Sequence, residues 1–222
     1  MNYLHILSES DNDDLFFKGC LERITGRSFD FASRRRLRKG GGIAEVRRKG
    51  PVLLRQIKYT GPVDDTFFLI ALDNDRSPVH PEHKSRHRLS GQDRRKRCRF
   101  CELEALVQDI LGPREKWPIP GAVAVPVEMI ESWLLLIVNP DTHGNEASLP
   151  IFSTKEHAQA LRYYAPGAPP DQLKDLTTSE RRALGLDTPA FREHCVHVLD
   201  PEDLAERAPS FALFKGQVDA WP

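Results

Sequence analysis

Asp73-Asn74-Asp75 sets two carboxylates two residues apart. They follow Phe67 to Leu72, an unbroken apolar run of β-forming residues. Such a run reads as a strand buried on both faces, as in a parallel sheet. Acids just past the C-terminal end of a buried strand stand where α/β sheets bind ligands. Their oxygens suit a hard divalent cation such as Mg²⁺. The competing reading is a polar turn, since Asp and Asn both favour turns.

Other acids fall at comparable places. Tyr3 to Ser8 reads as a first strand with Glu9 at its tip. Ser10-Asp11-Asn12-Asp13-Asp14 then suits a helix start, and the helix runs through Leu15, Phe16, Cys20, Leu21 and Ile24 to Gly26. Acids in a first helical turn favour the macrodipole. That accounts for most of Asp11, Asp13 and Asp14, but Glu9 precedes the cap. Ile119 to Val125 reads as another buried strand, followed by a helix from Val127 to Leu136. Glu128 and Glu131 on that helix share one face. They form either an ordinary surface pair or a face turned to the acidic cluster.

A second chemistry is suggested by sulfur and imidazole. His80, His83 and His87 lie in a long loop that ends in Cys98-Arg99-Phe100-Cys101. His80-x-x-His83 with Cys98-x-x-Cys101 has donor types and local spacings that tetrahedral Zn²⁺ accepts. A zinc ion there would fix a floppy basic loop beside the acids. The alternative is a helix N-terminus with two incidental thiols and exposed histidines.

Basic residues come in two runs. Arg34, Arg35, Arg36, Arg38 and Lys39 lead into Gly40-Gly41-Gly42, and Arg47, Arg48, Lys49, Arg55 and Lys58 follow against the single acid Glu45. Arg76 opens the long loop, which also holds Lys84, Arg86, Arg88, Arg94, Arg95, Lys96 and Arg97. The glycines lack a Gly-Lys-Ser/Thr ending, which argues against a Walker-type nucleotide site. Each run is either a solvated face or a track for nucleic-acid phosphates.

These residues need a scaffold. The 222 residues, 40% hydrophobic and 29% charged, suit a globular core under a charged surface, and the net charge of +0 excludes steering of nucleic acid by the whole molecule. No apolar run reaches the ~18 residues of a membrane span, so no membrane partner is expected. The N-terminus has no signal-peptide pattern. Four cysteines without such a signal point to a reducing, cytoplasmic setting. Further elements are a strand over Ser28 to Ser33, helical pieces over Ile43 to Lys49 and Pro51 to Tyr59, and a helix over Glu102 to Leu111. Alternating strands and helices predict an α/β fold, a mostly parallel sheet with helices on both faces. The metal-binding domain spans 1–138, with 76–101 as an inserted His/Cys loop. Residues 139–222 form a mostly helical appendage packed on it, with short helices at Ser179 to Leu184 and Glu202 to Arg207 and a last one from Ser210 to Trp221.

Glu9-Ser10-Asp11-Asn12-Asp13 and Asp73-Asn74-Asp75, each after a strand, together resemble the Toprim domain of topoisomerases, bacterial primases and OLD-type nucleases. The first matches the family's Glu-Gly-x-x-Asp at Glu9 and Asp13, with Ser10 in place of the glycine. The second is its Asp-x-Asp. Ala-Val-Pro-Val followed by Ile130-Glu131-Ser132-Trp133-Leu134-Leu135 is similar to a small Toprim-like group of bacterial proteins, some linked to anti-phage systems. The resemblance covers residues 3 to 135. It implies a Mg²⁺- or Mn²⁺-dependent nuclease acting on DNA or RNA. Glu9, Asp73 and Asp75 would then be the catalytic acids, Asp13 and Glu131 further metal ligands, and Arg76, Arg34, Arg35, Arg36 and Lys39 the phosphate contacts. The rival reading is a non-catalytic module that binds nucleic acid or docks on an ATPase or sensor protein.

Overall fold

Four parallel strands make one sheet: β1 (Asn2–Ser8), β2 (Phe29–Arg36), β3 (Thr66–Ala71) and β4 (Gly121–Ala124), in the order β2-β1-β3-β4. The computed structural model describes residues 1–37, 42–74, 80, 98–126, 130–138 and 188–222, with the main chain alone for Arg36, Glu131, Ser132, Leu135 and Val138. All six residues of β3 are buried, as its unbroken apolar run demands. Phe67, Leu69 and Ala71 join one core, whereas Phe68 and Ile70 join the other. The expected α/β architecture with helices on both faces is therefore what the chain adopts.

On the first face lie α1 (Asp11–Thr25), α4 (Glu131–Val138), α5 (Pro189–Val198), α6 (Pro201–Arg207) and α7 (Pro209–Asp219). The opposite face carries α2 (Gly42–Thr60) and α3 (Arg99–Leu111). The caps of α1 are those the sequence announces. Ser10 Oγ accepts from the Asp13 N–H, and Gly26, at φ 68°, donates its N–H to the Glu22 carbonyl. Phe17, Trp133, Phe211 and Phe214 interlock edge to face and stacked, so the C-terminal helices complete the core of this face. Removing such surface from water stabilises by about 1.5–3 kcal/mol per side chain.

α7 also closes the sheet. The Gln217 amide accepts from the Val123 N–H and donates to the Val123 carbonyl, both at 2.9 Å, and so stands in for a fifth strand beside β4. An edge strand covered in this way offers no template for pairing with another chain.

Three elements differ from expectation. β2 extends through Arg34, Arg35 and Arg36, because its alternate residues at a sheet edge face solvent and tolerate charge. The two helical pieces around Pro51 are one helix. Val46, Leu53, Leu54 and Ile57 form a buried stripe that spans the proline and outweighs the hydrogen bond it removes. α5 was not anticipated, although Thr188 caps it and Pro189 opens it. The expected helix at Ser179 to Leu184 lies outside the described residues. No helix among the described residues is long and apolar enough to cross a membrane.

Candidate functional site

The strand order fixes where a ligand would sit. β1 leads through α1 to β2 on one side, and the chain then crosses back to β3 on the other. α1 lies on one face and α3 on the opposite face. The connections from β1 and β3 thus use opposite faces, which makes the carboxyl edge between these two strands the topological switch point of a doubly wound sheet.

Glu9 and Asp73 flank that point. Leu7 pairs with Ile70. Glu9 follows two residues after Leu7, and Asp73 three residues after Ile70, on strands about 4.8 Å apart. Glu9 is exposed. Asp73 is half-buried, and its Oδ1 accepts from the Ile130 N–H at 3.1 Å, just ahead of α4. Asn74 is buried, with its N–H on the Pro126 carbonyl at 3.0 Å. Asp75 and Arg76 lie outside the described residues, as do Lys39, His83 and Glu128. Glu131 is the first residue of α4 and Arg36 the last of β2; their side chains are not described.

Two acids in the first turn of α1 are held by cations. Asp13 forms an ion pair with Arg192 of α5, in which both side chains are largely buried. Asp14 is fully buried between the Ser8 hydroxyl, which donates to Oδ1, and Arg34, whose Nε lies 2.8 Å from Oδ2. Burial raises the Asp14 pKa above its ordinary value, against the lowering effect of Ser8 and Arg34. Arg34 also reaches Asp11 at 2.7 Å and stacks 4.6 Å over the Phe31 ring. Arg35 donates to Gln56 at 2.7 Å. Arg34, expected as a phosphate contact, thus holds the start of α1 against β2.

Sequence reasoning missed Arg99, the first residue of α3. Its guanidinium is largely buried and within the electrostatic reach of Glu9. Burial lowers its pKa, Glu102 raises it, Arg47 lowers it and Glu9 raises it. The Arg99 Nε is buried with no hydrogen-bond partner among the described residues. The signal was its position, where the loop leaving the Asp73 tip enters a helix. Arg47 of α2 also reaches Glu102, so two guanidiniums converge on one carboxylate.

His80, Cys98 and Cys101 meet at the same edge. One donor atom from each lies within 4.8 Å of the others, and this is the group of three potential metal donors found among the described residues. His80 Nδ1 is 3.4 Å from Cys101 Sγ. The Cys98 pKa is lowered to about 7, chiefly by the Cys101 thiol, and that of Cys101 is raised, chiefly by Cys98.

Compared with protein-family models, with curated proteins and with solved structures, the chain matches none of them.

Proposed function

We propose that the chain is a Mg²⁺- or Mn²⁺-dependent nuclease of Toprim type that hydrolyses phosphodiester bonds. The observation that carries this reading is the position of Glu9 and Asp73 just past the carboxyl ends of the adjacent parallel strands β1 and β3, at the switch point. The donor chemistry fits a hard cation, because both groups are carboxylates and one is exposed. Asp75, two residues beyond Asp73, is the third acid of the proposal. Asp13 is a weaker candidate, since Arg192 already occupies its carboxylate.

Mg²⁺ bound there would polarise the phosphodiester and make a bound water more acidic. The protein's own groups supply the rest. Arg99, whose buried Nε has no hydrogen-bond partner among the described residues and which lies within the electrostatic reach of Glu9, would meet the negative scissile phosphate. Glu9, the exposed acid, would take the proton from the attacking water. Arg35 and Arg47, partly or largely exposed on neighbouring elements, would give phosphate contacts without base specificity.

A cleavage assay tests this reading. Purified protein is incubated with single- and double-stranded DNA and RNA in Mg²⁺, in Mn²⁺ and in a chelator. Metal-dependent cleavage that Arg99→Ala weakens at least tenfold is the expected outcome. The Asp73 bond to Ile130, which an architectural acid would also make, favours a second reading. In it the fold binds nucleic acid, or docks on an ATPase or sensor subunit, without cutting. Binding without cleavage in either metal would support that reading.

A further inference from the structure

We propose that His80, Cys98 and Cys101 hold a zinc ion that clamps the chain leaving β3 onto the start of α3, independently of the Mg²⁺ chemistry above. The distances fit the ion. Zinc bonds of about 2.3 Å to sulfur and 2.0–2.1 Å to nitrogen put tetrahedral S and N donors about 3.6 Å apart, and two sulfurs about 3.8 Å apart. His80 Nδ1 and Cys101 Sγ stand 3.4 Å apart, and all three donor atoms lie within 4.8 Å of one another.

The surroundings orient these donors. The His80 ring packs against Phe100, with centroids 4.7 Å apart. Cys98 occupies the N-cap of α3, where its side chain makes no capping bond. Serine or aspartate caps far better, so capping does not explain a thiol at this position. His80 and Cys98 border a small cavity that also includes Asn74, Val125 and Ser210, the last from α7. An ion here would tie together the β3 tip and α3.

Cys-x-x-Cys at a helix start also serves as a redox dithiol. Two observations favour metal. A redox pair has no need of a third donor, yet His80 is in place. Cys98 is 5% exposed, which bars a substrate disulfide from the sulfur that would attack it. Thiolate donors also select zinc over Mg²⁺ or Mn²⁺.

The test uses the full chain without a histidine tag, purified in reducing buffer free of chelators. Elemental analysis should find close to one zinc per chain. A mercurial that caps thiols should release it to a zinc-sensitive dye, which needs no variant to fold. Cobalt in place of zinc should give the near-ultraviolet thiolate-to-cobalt bands and the intense visible bands of a tetrahedral site. Cys98→Ser with Cys101→Ser should lose the metal and both sets of bands. Less than about half an equivalent of zinc after incubation with equimolar Zn²⁺ would overturn the proposal. So would zinc retained in full by that double variant, or a Cys98–Cys101 disulfide forming with no metal bound.

Discussion

The Asp73 carboxylate accepts a hydrogen bond from the Ile130 N–H at 3.1 Å, joining the tip of β3 to the start of α4. Under the proposed function this side chain has two roles: one oxygen supports a helix start, and the charge would bind the cation. The two roles separate by substitution. Asp73→Asn keeps an acceptor oxygen and removes the charge, whereas Asp73→Ala removes both. In urea unfolding, Asp73→Ala should cost about 1 kcal/mol, the usual loss of a capping bond, and Asp73→Asn clearly less. Both should abolish metal-dependent cleavage. Full activity in Asp73→Asn would confine the residue to architecture.

Asp14 should stabilise the start of α1 without entering the chemistry. Asp14→Ala leaves the buried Ser8 hydroxyl and the Arg34 guanidinium without their acceptor. The expected loss is about 2–3 kcal/mol, at the low end for a broken buried pair because Arg34 remains 30% exposed. Its pH dependence has a definite sign. With the folded pKa raised above the ordinary 3.8, the folded chain holds more protons than the unfolded chain between the two values. The Asp14 contribution to stability therefore falls as pH rises through that window and is flat above it. Urea midpoints measured across the acid range should show this downward component in wild type, and Asp14→Asn should lack it.

Gln217 should behave as part of the sheet. Gln217→Leu keeps much of the volume but leaves the Val123 N–H and carbonyl unpaired under α7. A loss of about 3 kcal/mol in urea unfolding is expected, with early hydrogen exchange at Val123. Unchanged protection there would show that the side chain is incidental.

Gly121 lies against the Phe68 ring so closely that an added Cβ would overlap it. Gly121→Ala should cost about 1–3 kcal/mol from overpacking. Phe68→Leu in the same chain should return part of that loss, giving a non-additive double-mutant cycle. Additive losses would contradict the contact.

The strands, α1 and the acidic tips were legible because each rests on local pattern: the unbroken run Phe67 to Leu72, the Ser10 cap, and acids after buried strands. Arg99 was not legible, since its meaning comes from burial within the electrostatic reach of Glu9, a relationship across 90 residues that no spacing encodes. The same holds for the pairing of Asp13 with Arg192 and of Gln217 with Val123. Pro51 misled because a local rule for prolines lost to the buried stripe on both sides of it. The His/Cys group was half legible: the donor types stood in the chain, and only folding brings His80 to the helix start where both thiols lie.

The central claim is that Glu9 and Asp73 jointly hold a divalent cation at the β1/β3 switch point. The most direct measurement is a Mn²⁺ titration followed by electron paramagnetic resonance, on zinc-loaded wild type and on Glu9→Gln and Asp73→Asn, each checked for native circular dichroism. The account predicts saturable Mn²⁺ binding in wild type and at least tenfold weaker binding in each variant. Equal binding in all three proteins, or none in wild type, would contradict it.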